Sequence, residues 1–252
     1  EHCRRKLVDD AINIRGLKRY AVEHESEIKA PVCAESTGKK VAIIGGGPSG
    51  LTAAYFLSVM GHECTVYEQR DKLGGMLRYG IPSYRLPREI LDKEIEGLKL
   101  ADQDNHKHII GKDITLEQLR KDYDAVYISI GAHTDNKIGI DGEDAEGVIS
   151  AVEMLRGIGD GNMPDFSGQD IVVVGGGNVA MDVARSAIRL GAKTVKIAYR
   201  RRKVDMTALA EEVEGAVADG CMILELNAPT KIEKTADGKV AALWVQPQIV
   251  GN

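Results

Sequence analysis

Two short glycine-rich runs carry the residue types best suited to holding a ligand by its phosphates. Gly45-Gly46-Gly47-Pro48-Ser49-Gly50 follows the apolar run Val41-Ala42-Ile43-Ile44, and Gly175-Gly176-Gly177-Asn178-Val179-Ala180 follows Ile171-Val172-Val173-Val174. Each leads into a helical stretch, Leu51 to Met60 and Met181 to Leu190, with Gly61 and Gly191 as C-cap candidates. Between a strand and a helix, the G-x-G-x-x-G/A spacing has a physical meaning. The first glycine permits a tight turn. The second lets the backbone approach a pyrophosphate, and the third position, where Ala is also accepted, lets helix and strand pack closely. Gly45, Gly47 and Gly50 fill the first set, and Gly175, Gly177 and Ala180 fill the second. The helix starts at Ser49 and Asn178 would offer N–H groups and a positive dipole end to phosphate. The expected chemistry is dinucleotide binding, twice.

The two runs form an internal repeat, since Gly45, Gly47 and Gly61 map onto Gly175, Gly177 and Gly191 at a constant offset of 130. The ends of the second strands then separate the ligands. In the first unit the strand Cys64 to Glu68 ends on a carboxylate, which accepts both ribose hydroxyls and repels a 2′-phosphate, suiting FAD or NAD. In the second unit, in the strand Thr194 to Arg200, the matching position is Arg200, followed by Arg201 and Arg202 with no acid. A guanidinium there grips a 2′-phosphate bidentately, so NADPH is expected over NADH. Past Glu68, the adjacent glycines of Lys72-Leu73-Gly74-Gly75-Met76-Leu77 would let backbone lie against a flat ligand. The run Arg78 to Pro87 fits a segment that covers an isoalloxazine ring.

The elements that must position these residues follow from periodicity. Helices are predicted over Val8 to Glu23, Pro87 to Leu100, Thr115 to Lys121, Ser150 to Arg156 and Leu209 to Ala218, and a strand over Asp124 to Ile130. Cys221 to Leu226, Thr230 to Lys234 and Lys239 to Gln246 suggest an antiparallel ribbon. The fold class is α/β: two Rossmann-like dinucleotide-binding domains with parallel sheets, after a short N-terminal helical segment. The expected divisions are a helical segment over 1–38, the first segment of an FAD-binding domain over 39–135, a connection over 136–168 and an incomplete NADPH-binding domain over 169–252.

Composition excludes other classes. Net charge is −5 and no Lys/Arg block stands out except Tyr199-Arg200-Arg201-Arg202-Lys203, so the footprint of a nucleic-acid binder is missing. No apolar run approaches the roughly 20 residues that span a bilayer, and the first residues carry no signal-peptide core. Cys3, Cys33, Cys64 and Cys221 form no CxxC pair, so neither a disulfide framework nor a complete metal site is expected, and free thiols fit a cytoplasmic protein. His62, His106 and His108 lack ligand spacing and read as solvated surface. Cys221 reads as a small packed apolar residue.

The stretch GGGPSGLTAAYFLSVMGHECTVYEQRDKLGGMLRYGIPSYRLPREILDKEIE resembles the FAD half of the glutamate synthase small (beta) subunit family, a module shared with dihydropyrimidine dehydrogenase and related ferredoxin–NADP oxidoreductase subunits. VVVGGGNVAMDVARSAIRLGAKTVKIAYRR is similar to that family's NADPH domain, and VDDAINIRGLKRYAVE to its N-terminal helical segment. The resemblance covers essentially the whole chain. It implies hydride transfer from NADPH to FAD, then one-electron transfer to iron–sulfur clusters. It implies FAD contacts at Pro48, Ser49, Glu68, Gly75, Leu77, Arg85 and Ile114, and NADPH contacts at Gly177, Asn178, Val179, Arg200 and Arg201. Thr207 stands where some members carry a further basic residue for NADPH.

The resemblance further implies [4Fe–4S] clusters in the full-length protein only, with Cys3 as the last cysteine of their binding region, and a second FAD segment beyond the NADPH domain. The chain by itself is then expected not to complete turnover. The implied partner is the large glutamate synthase subunit or another iron–sulfur redox subunit; the terminal acceptor and oligomeric state stay open. Two alternatives remain at this level: an inactive ligand-binding fragment, and a flavin monooxygenase on the same fold, which the Gly-Gly-Met-Leu-Arg-Tyr-Gly-Ile-Pro run argues against. A disulfide reductase needs a redox cysteine pair, which the sequence lacks.

Overall fold

The computed structural model describes residues 3–24, 31–98, 102–104 and 108–251. A 3-10 turn, Arg4–Leu7, precedes helix α1, Ile14–Glu23. The helix starts six residues later than expected because Asn13 caps it, its side chain accepting a hydrogen bond from the Gly16 N–H. α1 buries no residue, and Arg15 reaches Glu211 of the second unit at 2.7 Å.

The first unit runs β1 (Lys40–Ile44), α2 (Pro48–Val59), β2 (Glu63–Tyr67), α3 (Met76–Tyr79), α4 (Arg88–Gly97), β3 (Asp102–Asp104), α5 (Leu116–Asp122) and β4 (Ala125–Ile128). Its sheet is parallel in the order β3-β2-β1-β4. The unbroken apolar run of β1 is explained by cover on both faces. Val41 and Ile43 pack with Ala54 of α2, while Ala42 and Ile44 pack with Tyr67 and Leu119 of α5. Burying Ile43 completely stabilises the unit by about 1.5–3 kcal/mol. The expected helix over Pro87 to Leu100 appears as α4, shorter at its C-terminal end, with Lys99 and Leu100 outside the described residues.

The second unit begins with α6 (Ala151–Gly159), followed by β5 (Asp170–Val174), α7 (Asn178–Arg189), β6 (Thr194–Ala198), α8 (Ala210–Ala218) and β7 (Met222–Leu224). Its sheet is parallel in the order β5-β6-β7. Its core joins Met154 and Leu155 of α6 to Met181, Ala184 and Ala187 of α7, so residues expected to serve as a connection supply part of this core. The expected three-strand ribbon is corrected. Cys221 to Leu226 yields β7, which pairs parallel with Lys196–Ala198 because α8 carries the chain back across the sheet as a crossover. Only β8 (Asn227–Lys234) and β9 (Val240–Pro247) form the antiparallel ribbon. Bridges Asp141↔Lys231 and Glu146↔Lys239 tie that ribbon to the segment before α6. Among the described residues no helix is long and apolar enough to cross a membrane.

Candidate functional site

A cleft of about 590 Å³ opens at the C-terminal ends of the first sheet's strands, where β1 lies between β2 and β4. In open parallel sheets this switch of direction is where ligands sit. Gly45, Gly47, Pro48, Ser49, Glu68 and Gly75 line it, as the sequence leads one to expect. Helix α2 is capped by Gly47 with no side-chain hydrogen bond and has Pro48 in its first turn, so its leading N–H groups face the cleft without a side-chain acceptor. A Cβ on Gly50 would stand 1.9 Å from the Gly45 carbonyl oxygen, which makes glycine obligatory there. A Cβ on Gly75 would stand 2.7 Å from the Gly47 Cα, so two backbones form the walls of the cradle.

Glu68 is 8% exposed. Its Oε2 accepts from the Gly46 N–H at 2.8 Å and its Oε1 from the Arg70 N–H at 2.9 Å. Each oxygen keeps a further lone pair for a ligand hydroxyl.

Other expected contacts lie elsewhere. The Leu77 side chain packs with Leu51, Leu91 and Ile95 behind the cleft. Ile114 packs with Ile110 against the Ala42 and Ile44 layer, and it is Ile110 that lines the cleft. Arg85 is engaged with Asp182 and Glu212 of the second unit. Of the run Lys72 to Leu77, Gly75 and Met76 reach the cleft lining, whereas no residue of Arg78 to Pro87, the run expected to cover a flavin, lines it. His108 is corrected from solvated surface to a half-buried cleft residue, set edge-on to Tyr67 at 5.9 Å. His106 lies outside the described residues.

Sequence reasoning missed several cleft residues, among them Tyr67, Arg70, Ser129 and His133. Ser129 Oγ donates to the Ile44 and Gly45 carbonyls at 3.0 and 3.1 Å, and its place at the end of a predicted strand was the available signal. Arg70 lies over the Tyr79 ring at 4.7 Å and pairs with Asp160 at 2.6 Å. His133 keeps its Nδ1 buried and without a hydrogen-bond partner among the described residues.

The second turn differs in detail. Gly177 caps α7, again without a side-chain hydrogen bond, and Ala180 is accommodated 3.5 Å from where a Gly175 Cβ would lie. Asn178 Oδ1 accepts from the Leu209 N–H at 3.0 Å, tying the turn to the start of α8, while Val179 stays exposed. Strand pairing corrects the matching of Arg200 with Glu68. Ile44 pairs with Tyr67 and Val174 with Ala198, so the residue equivalent to Glu68 is Tyr199, one before Arg200. The Tyr199 ring fills the space beside Gly176, where a Cβ would lie 2.6 Å away, and its hydroxyl donates to the Asp205 carbonyl at 2.8 Å.

Arg200 and Arg201 are exposed, and no acceptor holds the Arg200 guanidinium among the described residues. Arg202 is taken up by Asp205 through two bonds of 2.8 Å. Thr207 Oγ1 lies 3.5 Å from the Gly177 Cβ position, so it stands beside the turn.

No group of His, Cys, Asp and Glu that could hold a metal ion occurs among the described residues. All four cysteines are free. Cys64 and Cys221 are buried, the latter as expected of a small packed residue, and burial pushes both thiols up from their ordinary pKa.

The family model for pyridine nucleotide-disulphide oxidoreductases matches residues 35–243. The NADP(+)-dependent formate dehydrogenase subunit beta of Moorella thermoacetica is 43% identical over 92% of this chain and 37% of its own length. The glutamate synthase [NADPH] small chain of Escherichia coli (strain K12) is 36% identical over 83% of this chain and 47% of its own. The chain thus spans less than half the length of either relative. Among solved structures, Mycobacterium tuberculosis FprA in complex with NADPH aligns with a TM-score of 0.65 over 83% of this chain and 69% of that one, at 19% identity, a likeness of fold alone.

Proposed function

The chain belongs to the pyridine nucleotide-disulphide oxidoreductase family, and we propose that it is the core of a flavoprotein subunit that takes electrons from NADPH through FAD to iron–sulfur clusters. The observation that carries this reading is the contrast between the two glycine turns: a buried carboxylate, Glu68, stands in the cleft at the first, and two exposed guanidinium groups, Arg200 and Arg201, follow the strand that pairs with β5 at the second. The first cleft fits FAD. Its backbone cradle has no room for a side chain at Gly75, and its acid is already oriented by two N–H groups.

When bound, FAD takes a hydride from NADPH and releases the two electrons singly, which suits iron–sulfur acceptors. The protein's share is placement. Ser49, Gly50 and Glu68 address the phosphates and ribose of one nucleotide; Asn178, Val179, Arg200 and Arg201 address those of the other. Hydride transfer between cofactors needs no side-chain proton, so no acid–base residue is assigned.

The chain's own cysteines do not fit a cluster. A [4Fe–4S] centre takes about four thiolates, while Cys64 and Cys221 are buried in separate cores. Clusters therefore belong to other parts of the full-length protein or to a partner. The large glutamate synthase subunit is one such partner and the iron–sulfur subunits of formate-linked complexes are another, in the cytoplasm.

Anaerobic mixing of the full-length, FAD-loaded protein with NADPH should bleach the flavin absorbance, and NADH should do so more slowly. Flavin left oxidised by both nucleotides would overturn the reading.

A further inference from the structure

The segment between α3 and α4 leaves the first unit to grip the second. Arg85 Nη1 donates to both carboxylate oxygens of Asp182 on α7, at 2.7 and 2.9 Å, and its Nη2 meets Glu212 of α8 at 2.7 Å. The Asp182 side chain is 8% exposed. The contacts continue along the same face. Arg185 meets Glu212 at 3.3 Å and Asp219 at 2.7 Å, and Arg189 meets Asp219 at 2.7 Å. The Tyr84 ring lies under both arginines, 5.1 Å from Arg185 and 4.2 Å from Arg189. Three cations face three carboxylates, so the interface is neutral when every group is charged. Removing one cation would leave a buried acid uncompensated, which is strongly unfavourable.

This grip lies between the first cleft and the second glycine turn. Gly75 and Met76 line the first cleft and open α3. The hydrogen bonds of Arg78 to the Leu73 carbonyl and to Asp92, and of the Tyr79 hydroxyl to the Lys72 carbonyl, fix that turn. Arg85 follows, then Asp182, one helical turn (about 6 Å) beyond the Asn178 start of α7. A second brace stands beside it. Gly159 of α6 sits so close that a Cβ would lie 2.8 Å from the Tyr79 Cα, and Asp160 holds Arg70 of the first cleft at 2.6 Å.

We infer that Arg85 is a positioning residue, which sets the bearing of α7, and with it the NADPH seat at its N-terminus, against the FAD cleft. The inference rests on the reading of the first cleft and the second glycine turn as FAD and NADPH sites. Reacting atoms must come to about 3–3.5 Å, and a misplacement of about 1 Å lowers such rates by about 100-fold. Arg85 therefore governs the rate of hydride transfer and leaves the affinity for each nucleotide in place. Lysine cannot replace it fully, because a single ammonium lacks the planar fork that serves Asp182 and Glu212 together.

The test is stopped-flow reduction of the full-length, FAD-loaded protein across a range of NADPH concentrations, which separates limiting rate from apparent Kd. Arg85→Gln should lower the limiting rate of flavin reduction by about 10- to 100-fold, with flavin content and NADPH Kd within about 2-fold of the parent, and Arg85→Lys should recover part of the rate. Asp182→Asn keeps the shape and removes the charge, so it should give the same rate loss, and it serves if Arg85→Gln fails to fold. An unchanged limiting rate would overturn the inference. Loss of bound FAD from Arg85→Gln would overturn it as well, by making Arg85 a flavin contact. A parent protein whose flavin NADPH does not reduce would instead sink the reading of the two nucleotide sites themselves.

Discussion

β1 and β5 carry almost the same message, a short aliphatic run followed by three glycines, yet they occupy unlike places. β1 lies inside its sheet between β2 and β4, and Val41 to Ile44 are all buried. Among the described residues β5 is an edge strand, with Val172 44% and Val174 36% exposed and only Val173 buried. The difference reaches the turns. Beyond β4, Ser129 presses on the first turn, its carbonyl oxygen 2.4 Å from a Gly45 Cβ position, and Gly50 has no space for a methyl group. No described strand stands at that place in the second unit, and Ala180 fits. The first turn thus has room only for Gly at the third fingerprint position, where the Gly45 carbonyl oxygen lies 1.9 Å and Ser129 Oγ 2.8 Å from a Cβ, while the second turn accepts Ala.

The largest expected effect tests that statement. Gly50→Ala should destabilise the first unit by about 3 kcal/mol or more and abolish flavin retention, while Ala180→Gly should cost about 1 kcal/mol and leave NADPH binding intact. Urea melts with a count of bound flavin would show it, and equal losses would break the comparison.

Next come the strand ends. Glu68→Ala leaves the Gly46 N–H without its acceptor and should weaken FAD binding by about 100-fold, the worth of a charge-assisted bond, at unchanged NADPH Kd. Arg200→Ala should do the converse, lowering the preference for NADPH over NADH by about 10- to 100-fold while flavin content stays constant. Tyr199→Phe sharpens the register. It should lower thermal stability by about 1 kcal/mol through the lost Asp205 bond and leave nucleotide preference alone; a shift in preference would show that position 199 itself helps to select the nucleotide.

The smallest effect concerns the strands themselves. Ile43→Val should cost about 1 kcal/mol, whereas Val172→Thr on the open side of β5 should stay within about 0.5 kcal/mol, both read from denaturation midpoints.

The strand–turn–helix units were legible in the sequence because their signal is local: an aliphatic run, a glycine spacing and a capping residue within about 20 positions. Long-range facts were not. The polar strand β3, Asp102–Asp104, offers no apolar pattern to read. An apolar run such as Cys221 to Leu226 does not state its partner, and only the crossover through α8 makes β7 parallel. Arg85 and Asp182 are 97 positions apart. A carboxylate lodged between Met181 and Val183 on a helix signals a buried acid in need of a cation, but not which one. The one-residue displacement of Arg200 is likewise a property of pairing, visible only once Val174 is set against Ala198.

The near-contact of Gly47 and Gly75 has a consequence for how this protein can change. Cradle walls made of two Cα atoms offer evolution and the engineer no graded adjustment, because the smallest addition, one methyl on Gly75, already falls at 2.7 Å from the opposing chain. Stepwise remodelling of ligand preference is closed along that wall. It stays open at Gln69, which lines the same cleft and is exposed, so a library aimed at altered cofactor use should vary that rim and hold the glycines fixed.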